Sequence, residues 1–498
     1  MTYTLGIDVG TYETKGVLVD EAGVIHAQAA RAHKMLVPQP GWAEHRPLED
    51  WWGDFVHVCQ ALLHQSDVDP LEIKAVATSA IGPCMLPVDA QGNPLMNAVL
   101  YGVDGRAEAE VRELTDRIGE ATLIARCGNA LTSQSVGSKI LWLKRHRPEI
   151  YAQTAYILSS TSFLVQRLTG QVVIDHYTAA NFSPLYDVTS QTWVGDLADD
   201  ILPLEKLPRL MWSNEIAGHI TKEAAAQTGL APGTPVTAGT IDAAAEALSV
   251  GVDQPGDMMM MYGSTIFIIL RAGSRVSDPR IWYAPWLFEG EHASMAGLAT
   301  SGTLTHWFRD QMARDLPQDT AFAALAQEAA ASPPGANGLL MLPYFSGERT
   351  PIHDVHAKGA LFGLNLTHTR GDIYRALIEG IAHGTRHVTD TFVSLNQAPA
   401  RLLAVGGGTK NALWLQATSD ITGIDQIVCE KTTGASYGDA FLAAMAVGLV
   451  ERADISRWNP VAQTIIAQRN PTYDKAHALF RKLYDQTKSI AKELSGED

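Results

Sequence analysis

The chain has 498 residues, 46% of them hydrophobic and 18% charged, an ordinary globular composition that is too long for one compact core. Its formal net charge of −16 argues against nucleic acid or an anionic membrane as the main partner, while local backbone N–H groups and magnesium still allow a nucleotide. The most apolar stretch, residues 258–270, is interrupted by Gly263-Ser264-Thr265 and is too short to span a bilayer, and the first residues carry no basic or apolar leader.

Taken in chain order, residues 4–9 predict a strand, 10–14 a turn, 15–19 the returning strand and 24–27 a third strand. A helix with aromatic and apolar positions is expected from about Pro47 to Leu63, entered through Pro40-Gly41-Trp42. Residues 73–78 form a further strand ending near Gly82-Pro83. Strands and helices then alternate to about residue 250, the pattern of a sheet covered by helices. The second half opens alike, with a strand at 258–262, the turn Gly263-Ser264-Thr265 and a returning strand at 266–271. Later, the strand 401–405 runs into Gly406-Gly407-Gly408. The repeated opening predicts a duplicated module, with domains at 1–250 and 251–498 divided near the turn Asp253-Gln254-Pro255-Gly256. Residues 329–338 read as an internal loop, and 475–494 as a charged amphipathic helix packed on the body.

Cys59, Cys84, Cys127 and Cys429 are scattered and form no C-x-x-C pair, which predicts reduced thiols in a cytoplasmic protein. The histidines show no zinc-type spacing, and His353 and His356 read as surface or substrate-rim residues. No G-x-x-x-x-G-K-[ST] loop is present, and in Gly406-Gly407-Gly408-Thr409-Lys410-Asn411 an asparagine stands where a dinucleotide loop needs glycine or alanine. The protein-kinase set is missing as well. What remains is an acid at a strand end before a glycine-threonine turn, Asp8-Val9-Gly10-Thr11. A turn of small residues lets backbone N–H groups and a hydroxyl approach phosphate oxygens, and the carboxylate beside it can hold magnesium through water. Taken alone, this common pattern reads as a plain hairpin turn with a solvated aspartate. Gly263-Ser264-Thr265 supplies the matching turn, and two facing hairpins would grip the phosphates of one nucleotide.

These paired turns, with Ala238-Gly239-Thr240-Ile241-Asp242-Ala243-Ala244 between them, resemble the FGGY family of carbohydrate kinases, and the likeness runs nearly end to end. Pro40-Gly41-Trp42-Ala43-Glu44 before Trp51-Trp52 resembles the family's early helix entry. Lys139-Ile140-Leu141-Trp142-Leu143 resembles its K-x-x-W signature, although Val136 departs from the small polar residue or proline expected there. Ser346-Gly347-Glu348-Arg349-Thr350-Pro351 followed by Gly363-Leu364 is similar to xylulokinase-like members. Gly406-Gly407-Gly408, Asn411 and Gln416 resemble the adenosine-binding loop, and Gly434-Ala435-Ser436-Tyr437-Gly438-Asp439-Ala440 its packing partner. The resemblance implies an α/β fold of two ribonuclease-H-like, actin-type domains flanking an interdomain cleft. It implies phosphorylation, with ATP and Mg2+, of a hydroxyl of a small sugar, a ketopentose such as D-xylulose or a deoxy-xylulose.

Carried over by position, Asp242 is the general base, accepting the hydroxyl proton and aligning the oxygen with the γ-phosphate. Its alternative reading, a helix N-cap before the alanine-rich run, is compatible with that role. Asp8 contacts magnesium, with Asp242 sharing the ion. Gly10, Thr11, Lys15, Gly263, Ser264 and Thr265 hold phosphates, while Gly407, Gly408 and Asn411 bound the adenosine, Asn411 being equally a helix cap. Gly82 and Pro83 line the sugar pocket. Asp104 and Arg106 resemble the sugar-contacting D-x-R stretch, or else form a surface ion pair at the start of a charged helix.

Two departures bear on the substrate. Xylulokinases carry Gly-Gln-Met-His-Gly after the strand at 73–78, where this chain has Ala80-Ile81-Gly82-Pro83-Cys84. The tryptophan before D-x-R is replaced by Tyr101-Gly102. A more apolar pocket floor would admit a deoxy-ketose, another pentulose or a different polyol. The competing readings are a ribulose, glycerol or erythritol kinase of the same family, and a nucleotide-gated binding or sensor protein on the actin-type fold, which has no use for a base at 242. A homodimer is left open.

Overall fold

The computed structural model describes residues 1–496. The chain gathers into two compact units, the first made of Met1–Asp253, Ser277–Ala293 and Thr433–Pro460. The second comprises Gln254–Val276, Ser294–Thr432 and the described residues from Val461 onward. The expected division near residue 250 falls at the first passage between units. The chain then crosses back twice, which no cut at one position describes.

In the first unit, β1 (Tyr3–Val9), β2 (Glu13–Asp20), β3 (Ile25–Ala32), β4 (Ile73–Ala80), β5 (Ile216–His219) and β6 (Pro235–Thr237) run in the order β5-β6-β4-β1-β2-β3. A short β7 (Thr240–Ile241) also pairs with β4. The β1–β2 hairpin is antiparallel, whereas β4 lies parallel to β1 and β6 parallel to β4. Apart from partly exposed Asp8, every residue of β1 is buried, because helices cover both faces of this strand. On one face the helix Ala435–Ala446 comes so close that a Cβ on Gly6 would lie 2.0 Å from the Ser436 carbonyl oxygen. Only glycine fits there. The helix expected from Pro47 begins instead as a wider π turn, Pro47–Gly53, and becomes regular over Asp54–Ser66.

The second unit holds β8 (Asp257–Tyr262), β9 (Ile266–Ala272), β10 (His292–Leu298), β11 (Arg401–Val405), β12 (Gln426–Cys429) and β13 (Val461–Ile465), ordered β10-β9-β8-β11-β12-β13. Strand β8 is antiparallel to β9 and parallel to β11, β12 is parallel to β11, and β13 is antiparallel to β12. Position for position, this matches β3-β2-β1-β4-β6-β5. The duplication is therefore topological. The helix Pro471–Glu493 starts at Asn470, whose side chain accepts from the Thr472 N–H, and it buries Tyr473, Phe480 and Leu483 while its charged face stays exposed. Among the described residues no helix is long and apolar enough to cross a membrane, and the four cysteines are buried and form no disulfide.

Candidate active site

The first turn, Gly10 to Tyr12, joins β1 to β2 and closes through the Gly10 N–H, which donates to the Glu13 carbonyl at 2.9 Å. Two imidazoles hold its other carbonyls: His33 Nε2 lies 3.0 Å from the Gly10 oxygen and His45 Nε2 3.1 Å from the Thr11 oxygen. The Trp51 indole donates to His45 Nδ1, so the remaining proton of His45 sits on Nε2, facing Thr11. Burial, then the neighbouring His33, push the His45 imidazolium down to about 4, so the ring is neutral at ordinary pH. Thr11 Oγ1 is 3.3 Å from the Tyr101 hydroxyl. Lys15 pairs with Glu13 at 3.1 Å, both side chains being about half exposed.

Behind this turn the sheet register gathers acids. Asp8 pairs with Lys15 on β2 and with Ser79 on β4, and Ser79 is in turn the register partner of Thr240 on β7. Two residues on, Asp242 opens the helix Asp242–Ser249. The cap position itself is Ile241, so Asp242 is the first helical residue and not the N-cap; its Oδ1 accepts from the Ala243 N–H at 2.7 Å. Thr240 is fixed from both ends, its hydroxyl donating to Asp175 Oδ2 and its carbonyl accepting from the Thr161 hydroxyl at 2.7 Å.

Sequence reasoning missed three further residues here. Asp439, on the helix Ala435–Ala446, is fully buried, and its Oδ2 accepts from both the N–H and the hydroxyl of Ser79, at 3.0 and 2.7 Å. The Ser79 hydroxyl also lies 3.3 Å from Asp8 Oδ1. Glu246 follows Asp242 by four residues and so projects from the same face of its helix. The available signals were an acid inside the small-residue run Ala435-Ser436-Tyr437-Gly438-Asp439-Ala440 and the i, i+4 spacing of Asp242 and Glu246.

Burial raises all four carboxyls. Asp8 stands well above the usual range, with the charges of Asp242, Asp439 and Glu246 adding to burial and Lys15 opposing. Asp242 is pushed up to about 6 by burial, against its Ala243 hydrogen bond. Glu246 rises to about 7 through burial and then Asp242, again opposed by Lys15, and Asp439 is also held well above its ordinary value by burial. Asp8 and Asp242 are the carboxylates here that could take part in holding a divalent cation. Among the described residues no three such side chains form a ligand set.

Asp104 and Arg106 form a buried ion pair, not a surface one. Their closest approach is 2.8 Å with both side chains at 0% exposure, and Arg106 also reaches Glu44 at 2.9 Å. The guanidinium lies 3.9 Å from the Trp42 ring centroid, and Asp104 Oδ2 accepts from the Ala43 N–H. Only Arg106 Nη1 is left without a partner. In the 80–84 loop, Ile81 and Cys84 point into the hydrophobic core and Gly82 alone is partly exposed. The loop therefore offers backbone, not polar side chains.

In the second unit the turn Gly263-Ser264-Thr265 is closed by the Gly263 N–H donating to the Thr265 carbonyl at 3.1 Å. Its carbonyls are gripped by the start of the helix Gly302–Met312: Gly263 O accepts from the Gly302 N–H, and Ser264 O from the N–H groups of Ser301 and Thr303. The Ser301 and Thr303 hydroxyls reinforce Ser264 O at 3.3 and 3.0 Å. Gly407 and Gly408 lie in the short helical turn Gly407–Lys410 after β11. Asn411 caps the helix Ala412–Thr422, accepting from the Trp414 N–H at 3.1 Å, so its oxygen serves the cap.

The FGGY family of carbohydrate kinases, N-terminal domain, matches residues 3–249, and the C-terminal domain of the same family matches 259–447. A xylulose kinase of Bacillus subtilis (strain 168) is 28% identical over 98% of this chain and 97% of its own. A ribulokinase of Geobacillus thermodenitrificans (strain NG80-2) is 30% identical, covering 97% of this chain and 93% of its own. The crystal structure of xylulose kinase from Rhodospirillum rubrum is similar with a TM-score of 0.92 at 30% identity, over 98% of this chain and 99% of that one. The two-domain α/β architecture is that of the sugar kinases, on the actin-type fold.

Proposed function

Because the chain belongs to the FGGY family of carbohydrate kinases, and so phosphorylates a sugar at the expense of ATP, we propose a ketopentose such as D-xylulose as its acceptor and Asp242 as its general base. The observation that carries this reading is the placement of Asp242 at the head of a helix, two residues from the Thr240–Ser79 pairing that also positions Asp8.

In this reading the sugar hydroxyl gives its proton to Asp242 as its oxygen attacks the γ-phosphorus. The bond to the β,γ-bridging oxygen breaks and ADP leaves. The positive end of the Asp242–Ser249 helix favours the carboxylate form that accepts the proton. In the first unit Gly10, Thr11 and Lys15 would hold phosphate; in the second, Gly263, Ser264 and Thr265 would hold phosphate and Gly407, Gly408 and Asn411 bound the adenosine. Asp8, with Asp242, would hold Mg2+, which when bound neutralises phosphate charge. On the sugar side, the buried Asp104–Arg106 pair holds Trp42 and the Ala43 N–H in place, while Gly82 and Pro83 offer backbone. The use of ATP and four buried cysteines without a disulfide support a cytoplasmic location.

The apolar 80–84 loop extends the proposal to a ketose lacking one terminal hydroxyl. Each buried polar partner left unmatched costs about 1–3 kcal/mol, so 1-deoxy-xylulose is expected to be used at least as well as D-xylulose, with a preference that reaches roughly tenfold. ADP release over a panel of ketoses and polyols, including ribulose and glycerol, tests the acceptor class. The kcat/KM values of the two xyluloses, measured side by side, test the pocket. A strong preference for D-xylulose would overturn the apolar floor, and turnover confined to glycerol or other polyols would overturn the ketopentose assignment.

A further inference from the structure

The stretch Ser346-Gly347-Glu348-Arg349-Thr350-Pro351 carries a family likeness but no part in the chemistry so far described. In the second unit it braces the support of the second turn. Glu348 is 5% exposed, and its Oε1 accepts two backbone N–H bonds, from Ala299 at 2.6 Å and from Arg349 at 2.7 Å. Thr350, fully buried, closes a reciprocal pair with Gly297: the Gly297 N–H donates to Thr350 Oγ1 at 2.7 Å, and that hydroxyl donates to the Gly297 carbonyl at 2.9 Å. These two clamps fix the end of β10. The next residues, Ser301 to Thr303, are the ones that grip the carbonyls of Gly263 and Ser264. At Gly302 the approach is so tight that a Cβ would lie 2.4 Å from the Gly263 oxygen, so the grip has no slack to absorb a shift of its base.

We propose that Glu348 is a positioning residue for phosphoryl transfer: by holding Ala299 it sets where the Gly263-Ser264-Thr265 turn presents its N–H groups and hydroxyls. The inference rests on the reading of that turn as a phosphate holder. One oxygen of Glu348 serves both N–H groups, while Oε2 has no partner. Burial pushes the carboxyl up to about 7. Its work is therefore that of an acceptor, which a glutamine carbonyl reproduces and an alanine does not.

The test compares Glu348→Gln, Glu348→Ala and Thr350→Val with the wild-type protein, reading KM for ATP, kcat, sugar affinity by tryptophan fluorescence, and melting temperature. Glu348→Ala is expected to raise KM for ATP and lower kcat by about tenfold each, with sugar affinity within about twofold, since small misplacements of a binding group carry rate losses of that order. Glu348→Gln should stay within about threefold of wild type, and Thr350→Val should show the alanine pattern at smaller size. If Glu348→Ala does not fold, Thr350→Val and Glu348→Gln decide. A Glu348→Gln variant as impaired as Glu348→Ala would overturn the proposal, as would an alanine variant that loses sugar affinity in parallel. Gly302→Ala serves as a control that displaces the turn directly. If it raises KM for ATP while the Glu348 and Thr350 variants do not, the turn holds phosphate and the brace is wrong. If none of them changes KM for ATP, the reading of the turn falls first.

Discussion

The hairpins β1–β2 and β8–β9 occupy the same place in two sheets of the same order, yet they are supported in opposite ways. The first turn is held by the imidazoles of His33 and His45 and stands against four raised carboxyls, Asp8, Asp242, Glu246 and Asp439. The second is held almost wholly by backbone N–H groups and hydroxyls at a helix start, and β8 bears four methionines before Tyr262 where β1 bears Asp8. The difference separates two tasks that topology alone would make equal. In the proposed function, charge and proton handling belong to the first hairpin, while the second offers a turn held without any acid.

The sharpest way to break this comparison is to remove the proposed base. Asp242→Ala or Asp242→Asn is expected to lower kcat by about 10²-fold or more, the scale of lost general-base help, with ATP affinity little changed. Near-normal turnover would end the division of labour. Next comes the acid that arrives from the distant helix. Asp439→Ala leaves the Ser79 N–H without its acceptor beside Asp8, and kcat should fall about tenfold, while Asp439→Asn, which keeps an acceptor, should retain most of the activity. A wild-type kcat in the alanine variant, measured at saturating substrates, would show that Ser79 needs no such hold.

A smaller effect follows from the imidazole. The folded protein holds His45 near 4, below its unfolded value of about 6.5, so the neutral ring's contribution is complete above pH 6.5 and is lost as pH falls from there towards 4. Melting temperatures from pH 7.5 to 4.5 should decline below 6.5. In His45→Gln the loss between pH 6.5 and 5 should be smaller by roughly 1.5 kcal/mol, and an identical slope in the variant would discount the imidazole support. The smallest effect belongs to the second hairpin. Ser301→Ala removes one hydroxyl from a grip whose backbone donors persist, so KM for ATP should rise by no more than about threefold. A larger rise would mean that this turn, too, depends on a side chain.

Both hairpins were legible in the sequence because each is local: apolar alternation, a glycine-threonine or glycine-serine turn, and apolar alternation again. The strand Arg401–Val405 and the final amphipathic helix were readable for the same reason. Asp242 stood out by its glycine-threonine setting, though the structure moves it one position into the helix. What stayed hidden depends on contacts distant in the chain. Arg106 looks like a surface charge until Trp42, Glu44 and Trp142 close over it. Glu348 looks like part of a loop until the end of β10 arrives to donate to it. Asp439 sits in a run of small residues, and its partner, Ser79, lies on a strand from the other end of the sequence.

The return of residues 433–460 to the first unit also fixes an order of assembly during synthesis. Thr4 Oγ1 donates to the Ala440 carbonyl across 436 residues, and Gly6 has been kept bare for the same helix. When the ribosome has made the first unit's long opening segment, one face of its earliest strand still lacks its cover, and the Ser79 amide still lacks its acceptor. Domains usually fold as units as they emerge, but this one must wait for almost the whole second unit to be translated. A nascent chain stalled before Ala435 is therefore expected to leave that face of β1 uncovered, and the first unit is complete only once residues 433–460 have seated on it.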